Sequence, residues 1–184
     1  MELSKGLLTN NKGGLLVENI EIILSEFNKN LINQFFYDEL KISKFKLKSS
    51  HFFDSLSEKD LYFSQVENIE KILTPKGTGN ILLEEFQLGI SLKDVLIVLS
   101  FDEQDGDIVL NFPESELFKY ERNNNQTRWK KLVRFLVSLR EKYDIPKIVI
   151  GYEPATDEDT LLIEIDNEVT FYDTEIEKFI KNDE

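Results

Sequence analysis

Cysteine is absent from the 184 residues, so the chain can form no disulfide and offers no thiol for catalysis or metal binding. Long apolar runs are absent too, because the longest covers only residues 95–99, far short of a membrane span. The first eleven residues hold only a two-residue apolar run, too little for a signal peptide. These absences argue against a disulfide-stapled secreted scaffold and a membrane-spanning protein. We therefore expect a cytoplasmic location and no membrane partner.

Positive charge is scarce, since 22 Lys and Arg stand against 35 Asp and Glu, a net charge of -13. Residues 150–184 carry twelve acidic residues against two lysines, a balance of -10. Free nucleic acid is disfavoured as a partner, because phosphate binding depends on Lys and Arg. The acidic excess is either a solvated surface that keeps the protein soluble or a surface that steers a basic partner protein into place.

Histidine occurs once, at His51, and without cysteine it cannot make a usual zinc site. A catalytic triad would have to use this histidine, yet the serines beside it in sequence rarely meet a histidine in triad geometry. The acidic run at residues 102–107 fails the calcium-loop spacing, because Gly106 as the sixth position would put Phe101 at the first ligand position. The sequence therefore predicts no cofactor and no metal.

The apolar content of 41%, with 14 phenylalanines, is that of a packed globular protein. A chain of this length is expected to form one α+β domain over residues 1–184. Residues 74–80 contain a proline and two glycines, so a lobe boundary, if there is one, would fall there.

Helical spacing is strongest in three segments. Apolar residues from Leu16 to Phe35 share one face of a helix, and the lysines of residues 44–48 then alternate as on an exposed edge strand. A further helix is expected to begin near a capping box at residues 55–58 and to run to about Leu73, with Tyr62, Val66 and Ile69 along one side. A third helix is expected over residues 127–143, with Trp129 facing inward.

Strand patterns fill most of the remaining chain. The apolar run 95–99 and the alternating residues 108–112 are joined by Asp105-Gly106, which predicts a hairpin because glycine accepts positive φ. Residues 147–152 form a strand, and residues 161–165 and 169–172 form a second hairpin. Asp173 can cap a short terminal helix. The fold class is thus α+β, a largely antiparallel sheet with two long helices packed on it and a short C-terminal helix.

Arg140 breaks the helical pattern, because at 100° per residue from Trp129 it returns to the apolar arc. Its guanidinium either extends past the helix end into solvent or pairs with a buried acid such as Glu153.

Two acidic loops are the candidate partner-binding sites. They could lie at the same sheet edge and form one acidic rim. An enzyme that uses a carboxylate pair, Glu153 with Asp102 or Asp157, is an alternative, as is a structural or oligomerisation subunit of a larger complex. The oligomeric state itself is not predicted. The residues in question are Asp102, Glu103, Asp105, Asp107, Glu153, Asp157, Glu158 and Asp159.

The segment Phe-Pro-Glu-Ser-Glu-Leu-Phe at 112–118, the helix of Trp129 and the segment Gly-Tyr-Glu-Pro-Ala-Thr-Asp-Glu-Asp at 151–159 resemble small acidic α+β immunity proteins of bacterial polymorphic-toxin systems. The resemblance covers about the last hundred residues. It implies a non-enzymatic antitoxin that covers the active site or substrate groove of a toxin, often with acidic residues against a basic nuclease surface.

Overall fold

Eight strands form one antiparallel sheet in the computed structural model, which describes residues 18–118 and 122–166. Their order across the sheet is β3-β2-β4-β5-β6-β1-β7-β8. Strand β1 therefore lies between β6 and β7 and not beside β2, the strand that follows it along the chain. The strands are β1 Asn19–Asn28, β2 Leu47–Asp54, β3 Lys59–Leu61, β4 Gly77–Gln87, β5 Ser91–Phe101, β6 Asp105–Pro113, β7 Lys147–Tyr152 and β8 Leu161–Ile165.

One long helix accompanies the sheet. Two short helices, α1 (Ile32–Gln34) and α2 (Ile69–Ile72), precede it, and α1 continues into a π-helical turn at Phe35–Glu39. The long helix α3 spans Arg122–Tyr143. This agrees with the predicted helix, and its apolar side is buried as expected at Trp129, Leu132, Val133, Leu136, Leu139 and Tyr143.

The hydrophobic core lies on one face of the sheet, which we call the inner face. Strand β5 shows the alternation, since Val95, Ile97 and Leu99 are fully buried while Leu96 and Val98 on the opposite, outer face are only partly covered. The inner-face residues pack with α3, α1 and α2 in one cluster. A second, smaller cluster lies on the outer face and consists of Ile23, Val149 and Ala155, with Val109 against it.

The first predicted helix is wrong over residues 19–28, which form strand β1, and only its last part, residues 29–35, is helical. Ile20, Ile22 and Leu24 face the core, and Ile23 belongs to the outer-face cluster. The pairing of β1 with β6 shifts between Leu24 and Phe27, a β-bulge that returns Phe27 to the core. An apolar outer residue and a bulge together imitate the spacing of a helix.

The second predicted helix is also wrong over most of its length. Residues 59–61 form β3, and of the expected helix only a 3-10 turn at Phe63–Gln65 and the short helix α2 are present. The capping box at residues 55–58 does not form, because Asp54 instead accepts hydrogen bonds from the Leu56 N–H (3.0 Å) and the Ser57 hydroxyl (2.6 Å). These bonds close a turn between two strands. The sheet thus carries one long helix among the described residues.

The predicted hairpin of residues 95–112 and the strand at 147–152 are confirmed by β5, β6 and β7. The lysine-rich strand begins later than expected, at Leu47, after a 3-10 turn. Strands before and after residues 74–80 belong to the same sheet. Residues 169–172 and the expected helix after Asp173 lie outside the described residues.

Tyr143 allows a test of packing at the end of α3. Its ring is 3% exposed and contacts Phe27 and Phe35, and its hydroxyl lies 3.3 Å from the Glu39 carboxylate. Burial, reinforced by the charge of Glu39, raises the pKa of Tyr143 to about 12 from 10.0. The folded state thus holds the proton more tightly than the unfolded state, so this contribution to stability is complete below pH 10 and is lost as the pH rises towards 12.

We therefore expect the free energy of unfolding of the wild type to fall by up to about 3 kcal/mol more than that of Tyr143→Phe between pH 10 and pH 12. Urea titrations of both proteins across that range measure the difference. Parallel pH profiles would contradict the assignment.

Candidate protein-binding surfaces

The two acidic loops lie at opposite ends of the sheet. Asp105 pairs with Asn28 at one end of β1, whereas Tyr152, which leads into the second loop, pairs with Ile20 at the other. At about 3.3 Å per strand residue the ends are roughly 27 Å apart. We call them the Asp102 end, with residues 102–107, and the Asp157 end, with residues 153–160.

The expectation of one acidic rim is therefore wrong, and the reason is the position of β1 between β6 and β7. The same separation prevents Glu153 and Asp102 from acting together as a catalytic carboxylate pair. Glu153 is also exposed and accepts a hydrogen bond from the Asn19 side chain at 3.1 Å. It is thus not a buried partner for Arg140, which is half-buried.

At the Asp102 end, the loop between β5 and β6 is held from both sides. Lys76 forms a 3.0 Å ion pair with Asp102, and the Asp107 carboxylate accepts a hydrogen bond from the Glu26 N–H at 3.1 Å. The loop closes through the Asp102 N–H and the Asp105 carbonyl at 2.8 Å. All four acids, including Glu103, remain exposed, so the loop presents carboxylates on an ordered frame.

Lys29 also holds the Asp102 end in place. It is the one charged side chain among the described residues that is almost fully buried, at 3% exposure. Its ammonium donates to the carbonyls of Leu73 (3.2 Å) and Pro75 (2.7 Å). Its backbone N–H donates to the Gln104 carbonyl at 2.9 Å. One residue thus fixes both the acidic loop and the segment that leads to Lys76.

At the Asp157 end, the loop between β7 and β8 is braced by β1. The Glu21 carboxylate accepts a hydrogen bond from the Ala155 N–H at 2.7 Å, and Ala155 itself is fully buried. The Thr160 hydroxyl donates to the Asp157 carbonyl at 3.1 Å. The three acidic side chains at the tip form no hydrogen bond or ion pair with the described part of the chain and are exposed, namely Asp157, Glu158 and Asp159.

The hairpin of β2 and β3 carries a feature that the sequence interpretation missed. Four large apolar side chains are exposed among the described residues, and three of them lie here, namely Phe53 (45%), Leu56 (74%) and Tyr62 (68%), the fourth being Leu161 (39%). Two adjacent phenylalanines in a strand were a usable signal, because only one of them can face the core. Phe52 does so and is fully buried. Tyr62 was expected along one side of a helix with Val66 and Ile69, and it instead follows β3 and is exposed.

His51 lies on the surface of β2 and approaches the Asp60 carboxylate at 2.8 Å. In the described ranges no serine hydroxyl forms a hydrogen bond with its ring. Residues 18–118 and 122–166 contain no group of three His, Asp or Glu side chains arranged to hold a metal ion. In those same ranges, no helix has the length and apolar character needed to cross a lipid bilayer.

Comparison with solved structures finds a related fold in Pseudomonas aeruginosa. A chain in the crystal structure of the toxic C-terminal tip of CdiA in complex with immune protein matches with a TM-score of 0.62 and 17% identity. The match covers 81% of this chain and 95% of that one. At this identity the likeness concerns the fold. A comparison with curated proteins finds no match.

The sequence also matches a protein family over residues 18–168, a range that includes all eight strands, α3 and both acidic loops. The matched range is most of the chain. The chain therefore belongs to the PABL017 Cdi1I immunity protein family.

Proposed function

We propose that this immunity protein neutralises a CdiA-type protein toxin by binding a basic surface of that toxin through its exposed carboxylates. The observation that carries the proposal is the exposure of all eight candidate acids, which lie on the two loops and at the start of β6, where hydrogen bonds hold the chain in place. Ordered loops lose less conformational entropy on binding than flexible ones, which favours affinity.

Family membership confirms the predicted resemblance to immunity proteins of toxin systems and, with it, a non-enzymatic antitoxin. The similar fold in the P. aeruginosa structure occurs in a crystal that contains a toxic CdiA tip and immune protein together. A toxin partner for this chain follows by analogy. A net charge of -13 favours a partner surface rich in Lys and Arg, because complementary fields raise association rates.

The two acidic loops make separate contributions to this proposal. Because they lie about 27 Å apart, a toxin that meets one of them reaches the other only by spanning the whole length of the sheet. The loop at the Asp157 end offers three carboxylates that have no partner among residues 18–118 and 122–166, whereas at the Asp102 end Asp102 and Asp107 have partners within the chain. Each loop therefore requires its own test.

Charge reversal tests the loops against each other. One variant carries Asp102→Lys, Glu103→Lys and Asp105→Lys, and the other carries Asp157→Lys, Glu158→Lys and Asp159→Lys, so both change the net charge equally. We expect the variant of the contacting loop to lower the association rate with the CdiA toxin tip of the same organism by about tenfold or more, because exposed interface charges mainly steer association. Stopped-flow or biolayer measurements at low and moderate salt give the rates.

The two variants serve as controls for each other, because a general effect of net charge would slow both equally. A loss confined to one variant identifies the contacting loop. Unchanged rates and unchanged salt dependence in both variants would remove the acidic loops from the proposal.

We further propose that the protein acts in the cytoplasm, as the sequence predicts. Fractionation of cells that express it, followed by immunoblotting, tests the location. Recovery in the membrane or culture-medium fraction would contradict it.

A further inference from the structure

The exposed apolar side chains of the β2–β3 hairpin are concentrated within ten residues of the chain. Single exposed apolar residues are ordinary on protein surfaces. Three large ones on one hairpin and the residue that follows it, each at least 45% exposed, are not, and such patches mark interaction sites. We call Phe53, Leu56 and Tyr62 the apolar patch.

The patch belongs to the outer face and to the Asp102 end. Phe52 pairs with Gly79 and with Leu61 and faces the core, so Phe53 next to it points outward. Gly77 at the start of β4 pairs with Phe101 at the end of β5. The turn that carries Leu56 thus projects beyond the sheet at the same end as the acidic loop.

The hairpin tip is ordered. The Ser57 hydroxyl and the Leu56 N–H donate to Asp54 and lower its pKa, so the carboxylate stays ionised and closes the turn. After β3, the Gln65 side chain accepts a hydrogen bond from the Tyr62 N–H at 2.9 Å. Hydrogen bonds on both sides of the hairpin therefore hold the backbone that carries the patch.

A row of outer-face residues connects the patch with the acidic loop. Thr78 pairs with Ser100, and Ser100 pairs with Asp107, while Phe53 lies on β2 beside β4. With about 4.8 Å between strands, Phe53 and Asp107 are roughly 14 Å apart across this row. The side chains between them are small and polar, so a partner can rest on the surface from the patch to the acids.

We propose that the apolar patch and the loop of residues 102–107 form one continuous toxin-binding surface. The patch enters an apolar recess of the toxin, and the carboxylates meet Lys and Arg at the edge of that recess. This arrangement has the apolar centre and polar rim of a specific protein interface. The inference rests on the proposed antitoxin function and names the end of the sheet that performs it.

The test uses the full-length protein and the purified CdiA toxin tip of the same organism. The variants are Leu56→Ser alone and Phe53→Ser with Leu56→Ser and Tyr62→Ser together. The control is Leu161→Ser, which changes an exposed leucine in the edge strand at the other side of the sheet. Calorimetric titration gives affinities, and thermal unfolding shows that each variant is folded. Leu56 is the most exposed of the three, so its replacement disturbs folding least.

We expect the triple variant to lose at least about 30-fold in affinity, as removal of a central apolar anchor does, and Leu56→Ser to lose a measurable part of that. Leu161→Ser should stay within about threefold of the wild type. Wild-type affinity in both folded patch variants would overturn the inference and leave the antitoxin function standing. The inference would also be overturned if the two patch variants lost self-association, measured by light scattering, and kept wild-type affinity for the toxin. A wild-type protein that does not bind the toxin would overturn both proposals.

Discussion

Replacing Gly106 with alanine is expected to destabilise the folded protein by about 3 kcal/mol, because an added methyl group has no room there. A Cβ at this position would lie 2.2 Å from the Ser100 carbonyl oxygen and 2.5 Å from the Phe101 Cα. Both atoms belong to the backbone of the paired strand β5, so they cannot move without breaking the ladder. Chemical denaturation of wild type and variant measures the loss.

The same experiment separates two explanations for this glycine. The sequence pattern Asp-Gly suggests a positive φ, which asparagine would tolerate. In the structure Gly89 is the described glycine with a positive φ, and Gly106 lies inside β6. We therefore expect Gly106→Asn to cost at least as much as Gly106→Ala. A much milder effect of asparagine would support the turn explanation. Gln104→Ala in the neighbouring loop is the control, with an expected change within about 0.5 kcal/mol.

Replacing Lys29 with methionine is expected to lower the free energy of unfolding by about 3 kcal/mol, because two carbonyls would lose their hydrogen-bond donor in a buried site. These are the carbonyls of Leu73 and Pro75, and the methionine side chain fills a similar volume without donating. The urea midpoint of unfolding measures the effect. Lys44→Met, at an exposed lysine, is the matched control and should change stability by less than about 0.5 kcal/mol. Equal stability of the two variants would contradict the anchoring role of Lys29.

The Lys29 variant also has a functional expectation, because the Lys29 ammonium holds the segment that leads to Lys76, the partner of Asp102. The backbone hydrogen bond to Gln104 remains in the variant. If toxin binding occurs at the Asp102 end, Lys29→Met should weaken it even where the protein remains folded. An affinity equal to that of the wild type would show that the loop keeps its shape without this anchor.

The elements that were predicted correctly are those whose pattern has one physical explanation. The apolar positions of α3 keep a helical period over residues 129–143, and no strand imitates that. The alternation in β5 and β6 is equally distinctive. Strand β1 was misassigned because Ile23 is apolar on the outer face and the bulge near Glu26, with φ of 53°, moves Phe27 inward. Neither feature can be recognised before the partner strands are known.

The acidic candidates were predicted as exposed, and they are. Their distance from one another could not be predicted, because it follows from the insertion of β1 between β6 and β7. The pairs of β1 with β6 are separated by 77 to 94 residues of chain, and no local pattern specifies such a pairing. Tyr62 was missed for a related reason, since its spacing from Val66 and Ile69 fits a helix that the Asp54 turn replaces.

The length of the sheet has an electrostatic consequence. At physiological ionic strength the screening length is about 8 Å, so the field of one acidic loop has almost vanished before it reaches the other. The two loops therefore act independently. Substitutions in both loops should change the association rate by the product of their separate factors, with no additional coupling. Substitutions in one loop can thus adapt it to a different toxin surface while the electrostatic field at the other loop is unchanged.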